Sequence, residues 1–185
     1  MRQTYLQLAA VLIALSVSNP AGACSYPIPQ PFDAHLRQAS SVLIVRLESA
    51  QLKHTGVTGG LRSEWIEGKI RIVQTLKAPK RKMPPYSTIT YSTRSCGGLR
   101  LDVGHYFLVA TDDYGHNIKL GASDQSIIDV TDSYSESHHA QSAKTDLLRP
   151  VFEYLAGKPL PQNYPPPYAA SYTSPDLPPP PPPAP

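Results

Sequence analysis

Ser41-Val42-Leu43-Ile44-Val45-Arg46-Leu47-Glu48-Ser49-Ala50-Gln51-Leu52 is the stretch that decides the fold. Its apolar residues Val42, Leu43, Ile44, Val45 and Leu47 follow one another with a single break, so both alternating faces are apolar and the segment reads as a buried strand. The next long run, Trp65 to Leu76, sets Ile70 and Ile72 between Lys69, Arg71 and Gln74, which is the alternation of a half-buried strand. Beyond these lie Ser87 to Thr93 (STITYST), Tyr106 to Thr111 (YFLVAT), Ile118 to Leu120 and Ser126 to Val130, rich in β-branched and aromatic residues. Gly59-Gly60, Pro84-Pro85, Gly97-Gly98 and Tyr114-Gly115 punctuate them as turns. Two helices flank the strands: Phe32 to Ala39, and a late one from about Ala140 to Leu155. In the late helix Leu147, Leu148, Val151, Phe152 and Leu155 make an apolar face that Pro150 bends or interrupts. Read as about five short strands around a strongly twisted early pair, the pattern predicts a mainly β domain, a small OB-like Greek-key barrel with two flanking helices. A sandwich is the alternative.

The first 23 residues read as a signal peptide. Arg2 supplies the positive start, Leu6 to Val17 the apolar run, and Ala21-Gly22-Ala23 the small-residue cleavage pattern. The run is shorter than the roughly 20 residues that span a bilayer. No integral membrane segment is expected once it is removed, and the mature chain would be secreted or periplasmic. Cys24 then becomes the first mature residue, and Cys96 is the other cysteine. An even pair in an oxidising compartment reads as a disulfide. A lipid-anchored Cys24 is the competing reading. Against it, Ala21 stands where a large aliphatic residue is expected, and acylation would leave Cys96 single.

From Pro159 onward, 13 of 27 residues are proline, which leaves few amide donors and little to bury. Residues 158–185 are therefore expected to be a disordered, extended tail, and 24–157 the folded domain. Tyr164, Tyr168 and Tyr172 interrupt the tail at steps of four. Without Arg2 the chain carries 16 basic and 14 acidic groups, unevenly spread: residues 24–111 hold 12 and 5, residues 112–185 hold 4 and 9. The basic cluster Lys77, Lys80, Arg81 and Lys82 lies among prolines in a loop with no interleaved aromatics, so no nucleic-acid partner is expected.

The segment Cys24-Ser25-Tyr26-Pro27-Ile28-Pro29-Gln30-Pro31, followed by Ala34, Ala39 and the strand VLIVRLESA, resembles the start of the netrin-like domain of tissue inhibitors of metalloproteinases. KIRIVQTLK (Lys69 to Lys77), the Ser95-Cys96-Gly97 turn and LDVGHYFLVA (Leu101 to Ala110) resemble later pieces of the same domain in the same order. The likeness covers roughly residues 24–130. Tyr26 stands where the family usually has a second cysteine, and the cysteine-rich C-terminal subdomain has no counterpart, so this is a minimal, one-disulfide version. Fold transfers better than function across such a gap.

The resemblance implies a Cys24–Cys96 disulfide and a partner-binding ridge of Cys24, Ser25, Tyr26, Pro27, Ile28 and Pro29. A catalytic zinc keeps one position open for water or substrate. The neutral α-amine and the carbonyl of Cys24 would occupy that position as a chelate on a partner protease's metal, with Ser25 entering the first specificity pocket. An α-amine ionises near pH 8, so losing its proton beside a cation costs little. The disulfide would close a loop of about 73 residues, worth on the order of 4 kcal/mol in the chain-entropy model, and would preorganise the ridge. The same bond would equally serve to tie down an exposed terminus. Either way a non-enzymatic, protein-binding domain without cofactors is expected. His35, His54, His105, His116, His138 and His139 lack the spacing of a zinc enzyme, and Asp112-Asp113 has turn composition. A cell-envelope scaffold or adhesion module that makes its contacts through the Pro/Tyr tail is the alternative.

Overall fold

Strands β1 (Ser41–His54) and β2 (Glu64–Lys77) form a long antiparallel ribbon running from Val42 opposite Lys77 to His54 opposite Glu64. The computed structural model describes residues 30–55, 64–79, 85–92, 98–121, 124–134, 146–166 and 169. Within them, β1 also pairs through Ser41 to Arg46 with β4 (Tyr106–Thr111), so its apolar half is central and covered on both sides. β3 (Thr88–Tyr91) pairs with β2, β5 (Asn117–Lys119) runs parallel to β3, and β6 (Ile127–Asp129) runs antiparallel to β4. The order across the sheet is β5-β3-β2-β1-β4-β6. Helix α1 (Phe32–Gln38) precedes the sheet, and a 3-10 turn (Thr131–Ser133) and helix α2 (Arg149–Leu155) follow it.

The strict alternation of β1 divides the interior in two. Val42 and Ile44, with Leu108, Ala110, Ile128 and Val130, form one apolar face, and α1 (Phe32, Leu36) and the α2 region (Leu147, Leu148, Val151) cover it. Leu43, Val45 and Leu47 face the other way, with Ile70, Ile89, Tyr91, Phe107, Val109, Ile118 and Ile127. Among the described residues no helix residue belongs to this second cluster; Tyr86, Leu99, Leu101 and Leu120 join it from the connections. Its members are nonetheless at most 8% exposed. Six flat strands would span about 24 Å and leave such a face wet. Such burial fits a sheet that curls over this, its concave face, as the natural twist of strands permits. Gly68 sits at a close approach: a Cβ there would lie 2.6 Å from Leu47 Cδ1 and 2.9 Å from Ile89 Cγ2.

The fold is mainly β with two short helices, as read from the sequence, but the sheet is not closed. β5 and β6 are its edges and do not pair with each other among the described residues. Among the described residues the strand count is six rather than about five: each of the six runs named from the sequence forms a strand, Ser126 to Val130 becoming Ile127–Asp129 on the outer side of β4. The described part of the late helix starts at Arg149, with Pro150 in its first turn. There its fixed φ suits the helix and its missing N–H costs nothing, so proline begins this helix instead of bending it. Packing also continues past Gly157, where the domain was expected to end. The Tyr164 hydroxyl donates to the Leu147 carbonyl at 2.6 Å, its ring lies 5.8 Å from that of Phe32, and Ala169 is 2% exposed. An aromatic ring with an apolar face to bury against does not stay in solvent merely because prolines surround it. Among the described residues no helix is long and apolar enough to cross a membrane.

Candidate functional site

The ridge Cys24, Ser25, Tyr26, Pro27, Ile28 and Pro29 and its expected partner Cys96 lie outside the described residues. The described chain does define the two places from which they depart. On one side Gln30 and Pro31 are exposed, Pro31 has φ −67° and ψ 156°, and it caps α1. Its carbonyl accepts from the amides of Ala34 and His35 at 3.0 and 3.3 Å. The next residue, Phe32, is fully buried between the sheet and Tyr164. On the other side Ser92 and Leu99, between which Cys96 falls in sequence, are joined by a bond from the Leu99 amide to the Ser92 carbonyl at 2.6 Å, and Leu99 is buried. Pro31, two residues beyond the end of the ridge, is thus followed directly by a fully buried residue.

Of the described histidines, His105, His35 and His116 are held in contacts within the fold. His105 Nδ1 lies 2.7 Å from Asp129 Oδ2, while Asp129 Oδ1 accepts the Thr131 amide at 2.9 Å. The imidazole stacks on Phe107 with centroids 6.4 Å apart. The pair links the start of β4 to edge strand β6, so its first effect is to fasten that edge. Sequence reading counted His105 but not its partner, since 24 residues separate them and only the β4–β6 pairing brings them together. His35 approaches Asp124 at 4.0 Å, and His116 Nδ1 lies 3.1 Å from the Pro85 carbonyl. His138 and His139 lie outside the described residues. Among the described residues no group of three His, Cys, Asp or Glu side chains is placed to hold a metal ion.

Asp113 behaves as its turn composition suggests. Its Oδ2 accepts from the Thr111 hydroxyl at 3.1 Å and the Lys119 amide at 2.8 Å, and its carbonyl accepts from the Tyr86 hydroxyl at 2.6 Å. The carboxylate is committed to closing the β4–β5 connection, a side-chain-to-backbone role typical of aspartate. Trp65 is half-buried in β2 opposite Lys53. Tyr91, buried in the concave face, has its hydroxyl pushed above the ordinary phenol range, first by burial and then by the negative charge of Asp102. Of the basic cluster, Lys77 ends β2 and donates to the Ala39 carbonyl at 2.5 Å, and Lys80, Arg81 and Lys82 lie outside the described residues. One groove was not legible beforehand, because its walls come from α1, the end of β2 and the end of α2.

No protein-family model matches the chain, and no curated protein matches it. The netrin-like resemblance therefore rests on the residues quoted above.

Proposed function

We propose that the chain is an exported, non-enzymatic protein-binding domain acting through its mature N-terminus, with inhibition of a zinc metalloprotease as its specific form. The observation that carries this reading is the seat of α1. Phe32 is fully buried three residues after Pro29, and Pro31 between them holds an extended φ/ψ. A terminus delivered from a fixed seat loses less conformational freedom on binding than a free one. Proline at positions 27, 29 and 31 narrows that freedom further.

In the same reading the curled sheet is an open barrel of the OB type. Its supports are the long β1 shared between β2 and β4, the parallel β3–β5 pair, and a concave core that no described helix covers. A Cys24–Cys96 disulfide would fix the ridge at its far end, and the free α-amine and carbonyl of Cys24 would meet the partner's zinc. The alternative of attachment through the Pro/Tyr segment draws less support, because Tyr164 is spent on internal packing.

The experiment compares two purified proteins against a panel of zinc metalloproteases with a peptide-cleavage readout. One begins at Cys24 and the other carries a single extra alanine before it. Inhibition by the first and its loss in the second, with equal melting temperatures, is the expected result. Equal inhibition by both, or none by either, would sink the chelating mechanism.

A further inference from the structure

We infer that the groove between α1, the end of β2 and the end of α2 is a binding site for a free single-chain carboxylate amphiphile. Its volume is about 730 Å³; Leu76 and Leu155 supply apolar surface, Leu36 beside them being itself buried, while Arg37, Lys77 and Lys158 supply cations. Among the described residues no acidic side chain lines it. The size falls within the range of about 300–1,000 Å³ usual for small-molecule sites, and the mixture of apolar wall and few polar groups is the usual lining.

The three cations are not equally committed. Arg37 is paired with Asp33 at 3.1 Å and Lys158 with Glu153 at 3.6 Å, but both basic side chains are more than 60% exposed. Such pairs hold weakly and exchange readily for another anion. Lys77 is half-buried, its ammonium donates to the Ala39 carbonyl, and among the described residues no carboxylate pairs with it. An ammonium has three donors, and a half-buried one gains most from an anion that meets those left over. The leucines beside it cover the tail of the same molecule. An anionic headgroup still embedded in a bilayer would reach the cations but leave those walls wet, so the occupant is a free amphiphile. The inference does not depend on the N-terminal ridge.

Calorimetric titration of octanoate into the full chain tests it, with 1-octanol as the isosteric neutral probe. The expected result is one saturable octanoate site, 1-octanol binding at least about tenfold more weakly, and about a tenfold loss in Lys77→Met, as for removal of one charge-assisted hydrogen bond. Lys158→Gln, an exposed change, should weaken octanoate by a smaller factor without altering 1-octanol. It keeps the test valid if Lys77→Met does not fold. Absence of saturable binding, equal affinity for the two probes, or octanoate affinity unchanged in both variants would overturn the assignment.

Discussion

Replacing Gly68 by alanine probes the curl of the sheet at a close approach between β1, β2 and β3. The new methyl carbon would stand 2.6 Å from Leu47 Cδ1, 2.9 Å from Ile89 Cγ2 and 3.3 Å from the Ser49 carbonyl oxygen. Leu47 and Ile89 are each 1% exposed, so neither side chain has open space to retreat into. Overpacking of this kind costs about 1–3 kcal/mol. Removing a glycine from a strand returns about 0.4–1 kcal/mol by reducing the freedom of the unfolded chain. The net expectation is a loss of about 1–2 kcal/mol, seen as a lower urea midpoint and a melting temperature reduced by roughly 3–8 °C. The contact can be isolated by a cycle with Leu47→Ala. That change alone should cost about 2–5 kcal/mol, but it vacates the space the methyl needs, so the double variant should be more stable than additivity predicts by about 1 kcal/mol. A neutral or stabilising Gly68→Ala, or additivity within about 0.5 kcal/mol, would mean that β1 and β3 do not close over β2 as described.

Three further outcomes follow from individual contacts. Tyr164→Phe removes the donor to the Leu147 carbonyl and should lower stability by about 1 kcal/mol in urea unfolding, whereas no change would mean that the proline-rich segment is not packed on the body. Tyr91 has a raised folded pKa, so its contribution is complete below the unfolded value of about 10 and is lost as pH rises through the higher folded value. Tyr91→Phe should therefore flatten the fall in urea midpoint between pH 8 and pH 11, and an identical fall in both proteins would refute the assignment. Asp113→Ala should cost about 1–2 kcal/mol and speed hydrogen exchange at the Lys119 amide, with unchanged exchange there as the contrary result.

Local signals in the chain were read most securely where a strand is buried on both faces or cleanly alternating. Ser41 to Leu52 and Trp65 to Leu76 became β1 and β2 with extensions of one or two residues, and Tyr106 to Thr111 is β4 without adjustment. Phe32 to Ala39 became α1, one residue shorter. What the sequence could not show is what depends on distant pairing. Closure of a barrel requires the two edges to meet, and nothing local to Ile118 or Ile127 says whether they do. The partner of His105 appears only once β6 lies beside β4, and the groove around Lys77 only once both helices are placed. Pro150 was ambiguous for a different reason: the same residue breaks a helix interior and favours a helix start, and only the position of the first turn decides. Tyr164 was read by the composition around it, when the buried Phe32 ring was the term that mattered.

Intact and non-reduced peptide mass spectrometry of the protein recovered from its native export pathway addresses the N-terminal ridge most directly. A chain that begins at an unmodified Cys24 and yields a Cys24–Cys96 linked peptide is the expected result, since it leaves the chelating amine free and the ridge fixed. An acylated, blocked or uncleaved Cys24, or two separate thiols, would contradict a zinc-directed terminus and leave an anchored or scaffolding domain in its place.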